Sequence, residues 1–186
     1  MHPNEIYHHF ALLSLLIAAI GLSVILQKWG RHRALSLSSH AALQRPSYWT
    51  FAASLIISGV LFSLFTFQWL MPAYNLDTWF GVLAAVTVSC ELLAALIPDS
   101  AGWGSVLHGI AAWTMAVLMM FIVVALLFIP GVNVIAKFLV SLLLSYLVLD
   151  WFLFLFVKWS RRLFLVFQST YVLCFYLAIL AVAYIR

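Results

Sequence analysis

Along most of this chain apolar residues do not alternate with polar ones. They run on for about 20 positions at a time, and Pro, Gly or charged residues cut one run from the next. A helix rises 1.5 Å per residue, so about 20 residues cross a hydrocarbon core of roughly 30 Å. The pattern predicts six transmembrane helices, over residues 6–27, 49–71, 79–97, 105–129, 133–157 and 162–185. Segments such as 121–129 and 151–157 are apolar at every position rather than at every second one, which excludes the strands of a membrane β-barrel. Helices are the remaining way to satisfy backbone groups in lipid. Pro72, Pro98 and the Pro130 and Gly131 pair mark three turns, Gly102 and Gly104 loosen the third connection, and no soluble domain fits between the spans. The expected fold is an all-α polytopic bundle, one transmembrane domain over residues 1–186.

Composition agrees: 67% of residues are apolar and 8% charged, against roughly 25% charged in a soluble domain. The distribution of basic residues then sets an orientation. Lys28, Arg31, Arg33 and Arg45 flank the first connection and Lys158, Arg161 and Arg162 the fifth, while the other side has only Lys137 and Arg186. Cytoplasmic loops collect Lys and Arg, so both termini are expected on the non-cytoplasmic side of a cell membrane. Residues 1–10 hold no Lys or Arg, so the first apolar run reads as a retained span rather than a cleaved signal. The net charge of +4 follows this topology and forms no stripe that would read nucleic acid. Cys90 and Cys174 both fall inside spans, without a CxxC pair, so neither a disulfide framework nor a zinc knuckle is expected.

Trp29, Tyr48, Trp49, Trp69, Trp79, Trp103 and Trp159 sit near span ends and are expected to anchor in the headgroup region. The connection from Lys28 to Tyr48 is expected to be solvated and lipid-facing, with contact to anionic headgroups as the functional alternative.

The chemistry has few places to sit. An ionisable group at membrane depth costs roughly 3 kcal/mol on insertion scales, and Glu91 and Asp150 stand out on that ground. Both lie about two turns from the cytoplasmic ends of parallel spans, hence in one layer. His108, Gln168, Ser169, Ser23 and the stripe of Thr50, Ser54 and Ser58 bring further polar atoms to that layer, and the outer half of the bundle is almost wholly apolar. His108 starts a face continued by Ala112 and Ala116, which directs the imidazole toward protein. Asp99, nine residues before it, is a candidate to orient that imidazole for acid or base catalysis. Bland alternatives stand beside each: a helix cap for Asp99, a packed core residue for His108, interhelical glue for the two carboxyls and ordinary packing for the stripe. No set of three or four His, Cys or carboxylate ligands is evident for zinc, no facing His pair for haem, and no phosphate-binding loop. No cofactor or metal is expected.

The stretch ending the third span in Leu96, Ile97, Pro98 and Asp99, then a Gly-containing turn, then His108, Gly109, Ile110, Ala111 and Ala112, resembles an uncharacterised prokaryotic family of six-span membrane proteins, the domain of unknown function 998 type. Ser58, Gly59, Val60 and Leu61 also look similar, whereas Ile97 stands where a Phe is commoner and Glu91 within the span departs from the pattern. The resemblance implies the six-span fold and places Asp99 and His108 in a site, without supplying a reaction.

The expectation is a polar pocket toward the cytoplasmic leaflet that binds or modifies a lipid or small amphiphile. His108 and Asp99 are its candidate catalytic residues, and Glu91, Asp150, Gln168 and Ser54 its candidate binding residues. Membrane lipids, a second copy or other membrane proteins are the expected partners. Two further readings remain open: an accessory subunit of a larger membrane complex, with its aromatic sides at 151–156 and 164–176 against neighbours, and a small proton-coupled transporter.

Overall fold

The computed structural model describes residues 5–29, 36–99, 102–157 and 163–185. Among them the chain forms α1 (Phe10–Trp29), led in by a 3-10 turn at Glu5–His9, then α2 (Leu37–Ala42), α3 (Arg45–Phe65), α4 (Met71–Tyr74), α5 (Thr78–Leu96), α6 (Trp103–Leu127), α7 (Val134–Phe156) and α8 (Phe164–Tyr184), with no strand. Six helical runs are long and apolar enough to cross a membrane, and they coincide with the six predicted. The protein is an all-α, multi-pass membrane protein. Arg31, His32, Arg33, Ser100, Lys158, Trp159, Arg161, Arg162 and Arg186 lie outside the described residues, and with them most of the charge on which the orientation rests.

Helices adjacent in sequence are adjacent in space, and α8 closes the bundle by packing on α1 and α6 as well as α7. The two ends of the chain share one face. His8 donates from Nε2 to the carbonyl of Ala183 at 2.7 Å, and Nδ1 of His9 lies 3.0 Å from the Tyr184 hydroxyl. The opposite face carries α2. The apolar core between them is dominated by Phe62, Phe65, Trp69, Phe80, Ile122 and Phe175.

Pro72 was expected to end the second span, but the helix continues to Tyr74. Proline lacks an N–H and crowds the carbonyl four residues back. The chain absorbs this in a π turn over Thr66–Leu70, and stops only at Asn75, whose φ of 49° is left-handed. Trp69 belongs to that turn. It is buried, with its ring stacked 5.4 Å from Phe65 and tilted against His8 at 4.7 Å, so it is a core residue and not the interfacial anchor its position suggests. Trp49, Trp79 and Trp103 are exposed, as anchors must be.

The first connection departs further from expectation. Its second half is not a solvated loop but α2, with Leu37, Ser38, His40 and Ala41 all buried. Leu37 and Ala41, one turn apart, pack with Ile25, Phe51 and Leu165. Ser36 caps the helix by accepting from the backbone N–H of Ser39 at 2.9 Å, and Nδ1 of His40 donates to the Ser36 carbonyl at 2.7 Å. Ser36, Ser38 and His40 are thereby drawn inside the bundle, with Ser39 half-buried beside them.

α7 is the outermost span. Its buried positions are Ala136, Val140, Leu147 and Asp150, which lie on one face, so the acid points toward the protein and away from the acyl chains.

Candidate functional site

Two cavities open behind α2. The larger, about 270 Å³, lies among α6, α7 and α8 and is lined by Asp99, His108, Asp150 and Gln168. The smaller, about 70 Å³, lies deeper and is lined by Glu91, Ser58 and Tyr176. Ser38, His108, Ala112 and Gln168 border both. The spacing of His108, Ala112 and Ala116 makes this possible, because small residues one and two turns above the imidazole leave room along one face of α6.

His108 is buried, and its Nδ1 donates to the carbonyl of Ile97 at 2.8 Å. In the neutral ring that bond places the proton on Nδ1 and leaves the lone pair on Nε2, which has no protein partner among the described residues. The carbonyl of Ile97, rather than Asp99, therefore orients the imidazole. Asp99 accepts from Ser39 Oγ at 2.7 Å, Ser105 Oγ at 3.0 Å and Ser38 Oγ at 3.4 Å. Partial burial raises the pKa of this carboxyl, but hydrogen bonds from Ser39 and Ser105, electrostatic attraction to the nearby His108 ring and the bond from Ser38 outweigh it, so the group titrates below the usual carboxylate range. Asp99 acts as a clamp: it fastens α2 to the start of α6, and it influences His108 through space.

Gln168 makes the second fastening, with Oε1 accepting from the backbone N–H of Leu37 at 2.8 Å. Tyr171, one turn further along α8, donates to the carbonyl of Ala116 at 2.6 Å and closes the inner end of the large cavity. Its outer wall is aromatic. Trp113 meets Trp151 and Phe154 at centroid distances of 5.4 and 5.5 Å, and Phe154 meets Phe164 at 4.9 Å. Part of the aromatic surface that reads in sequence as a face for other proteins thus serves this protein's own cavity.

No family model matches the chain, and no curated protein or solved structure matches it either. The side chains themselves are what remains to define the site.

Of the residues picked out by sequence, Asp99, His108, Asp150 and Gln168 meet at the large cavity, and two do not. Glu91 turns toward α3, where a β-carbon on Gly59 would lie 3.1 Å from its Oε2, and it lines the small cavity while Asp150 lines the large one, so the two form no carboxyl pair. Ser54 borders neither cavity. Its hydroxyl donates to the Thr50 carbonyl at 2.7 Å, and its side chain fills the space left by Gly21 of α1. Among the described residues no three of His, Cys, Asp and Glu converge as metal ligands.

Sequence reasoning missed Ser36, Ser38, Ser39 and Ser105, the wall residue Trp113, and a buried ring of hydroxyls beside the small cavity. There Tyr176 Oη lies 2.8 Å from both Ser14 Oγ and Ser58 Oγ, which are 2.9 Å from each other. Ser14 also donates to the Ser58 carbonyl at 2.9 Å. The ring ties α1, α3 and α8 together near mid-membrane. Interhelical hydrogen bonds in bilayers average about 0.6 kcal/mol with a maximum near 1.7, so Tyr176→Phe is expected to destabilise by about 1 kcal/mol without unfolding the protein. Thermal unfolding in detergent checks this; a loss well above about 2 kcal/mol would mean that the ring carries more than packing.

Proposed function

We propose that the protein binds the polar head of a lipid or small amphiphile in the large cavity, on the cytoplasmic side of the cell membrane. The observation that carries this reading is the division of one cavity into a polar end, with Asp99, His108, Asp150 and Gln168, and an aromatic wall built from α6, α7 and α8. Small-molecule sites combine a few convergent polar groups with apolar walls in this way. At about 270 Å³ the space suits a head group rather than a whole lipid. Trp113 lines the cavity and is also 43% exposed on the lipid-facing surface, so a tail can stay in the bilayer. Lys28 at the end of α1 and Arg45 at the start of α3, which flank α2, support the cytoplasmic assignment. His108 Nε2 is the group placed to accept a proton from a bound ligand.

The test is retention. Protein in mild detergent, washed free of bulk lipid, is expected to keep an amphiphile visible by native mass spectrometry. Ala112→Phe and Ala116→Leu, which fill the cavity, should lose it, while unfolding temperatures stay within about 3 °C of wild type, the shift that roughly 1 kcal/mol produces in a chain of this size. Equal retention by both filled variants would place the amphiphile on the outer surface and end the proposal.

A further inference from the structure

The polar lining of the large cavity is one-sided. It offers the carboxyls of Asp99 and Asp150 and the Nε2 acceptor of His108, and no Lys or Arg among the described residues lines it. The two carboxyls are not equivalent. Asp99 is already engaged by three serine hydroxyls. Asp150 is only 6% exposed, and its Oδ1 is buried without a hydrogen-bond partner. An acceptor left unmatched at this depth is costly, and because Asp150 lines the cavity a donor that enters there can engage its carboxyl. A neutral carboxylic acid would not remove the cost, because its carbonyl oxygen would still lack a donor. An ammonium group supplies both donors and charge.

The aromatic wall beside Asp150 favours the same sign. Trp113, Trp151, Phe154 and Phe164 form a continuous run of rings across three helices, and aromatic faces attract cations through their quadrupole. A carboxylate or phosphate head would meet two carboxyls and these ring faces, with no charged partner among the described lining residues. A neutral alcohol could donate one hydrogen bond to Asp150 but would bring no charge to the carboxyls or the ring faces.

We infer that the large cavity selects amphiphiles with an ammonium head group, held by Asp150 and the aromatic rings beside it. This rests on the cavity being an amphiphile site and adds the charge of the ligand. Primary and quaternary ammonium heads share the chemistry and differ in where they hold: the first donates to Asp150, the second lies mainly on the rings.

The experiment compares decylamine, decyltrimethylammonium, decanol and decanoate by titration calorimetry on the protein in nanodiscs, with empty nanodiscs subtracted. Ala112→Phe reports which heat comes from the cavity. Wild type is expected to bind at least one ammonium compound about tenfold more tightly than decanol, and decanoate more weakly still. Asp150→Asn should erase that preference, and Asp150→Glu should keep it, which separates loss of charge from loss of fold. Trp113→Leu should weaken decyltrimethylammonium more than decylamine if the quaternary head is the better fit, and the reverse order of sensitivity assigns the primary amine. Equal affinity for decylamine, decyltrimethylammonium and decanol, all abolished by Ala112→Phe, would overturn the charge preference and leave the amphiphile site standing. Heats unaffected by Ala112→Phe for every compound would bring down both.

Discussion

Gly21→Ala is expected to destabilise the protein, although alanine is the better helix former by about 1 kcal/mol. The added β-carbon would overlap the Ser54 side chain where α1 crosses α3, and the overlap reaches the Ser54 β-carbon, which cannot rotate away as the hydroxyl can. The two helices must move apart. Overpacking of this kind costs about 1–3 kcal/mol, enough to exceed the propensity gain. A double-mutant cycle isolates the cause: Gly21→Ala combined with Ser54→Gly should be no less stable than Ser54→Gly alone. An increase in stability on the single change Gly21→Ala would show that the crossing is looser than the structure has it.

Asp99→Ala should release α2 from the bundle. The substitution strips the acceptor from Ser38, Ser39 and Ser105 at once, leaving the contact of Gln168 with Leu37, the long bond from Ser47 to the His40 carbonyl and a small apolar cluster among the contacts that hold the helix. A cysteine placed at Ala41, buried in wild type, reports the docking by its protection from a membrane-impermeant maleimide once Cys90 and Cys174 are replaced. Protection should fall more than about tenfold in Asp99→Ala, the change that one or two charge-assisted hydrogen bonds imply. The pH dependence has a definite sign. Asp99 titrates below the ordinary carboxylate range, so its contribution to docking is fully present above that range and is lost as pH falls through the lowered value. Docking that weakened already near neutral pH would contradict the clamp.

The six spans were legible because run length and breakers report membrane crossing directly, whatever the helices pack against. Direction was not. Which way a side chain points depends on the rotation of its helix, and that is set by neighbours such as Gly59, whose missing side chain admits the Glu91 carboxyl. Proximity of Asp99 to His108 was readable from the short turn between them. Their hydrogen bonds were not, because the donors to Asp99 come mostly from α2, whose serines read as an ordinary polar loop. One missed feature did leave a trace. The buried face of α1 is Ala11, Ser14, Ala18, Gly21 and Ile25, small residues at alternating spacings of three and four, and that stripe could have marked Ser14 as an interface hydroxyl.

The join between the two ends of the chain bears on how the protein is made. α8 leaves the ribosome after α1–α7, yet it supplies Gln168 to α2, Tyr176 to Ser14 and Ser58, and the Ala183 carbonyl to His8. During synthesis the earlier helices must wait in the bilayer with their hydroxyls paired only to one another, as Ser14 and Ser58 can be. A nascent chain stalled before Phe164 would therefore be inserted but unfinished, and a natural client for whatever shelters half-built membrane proteins.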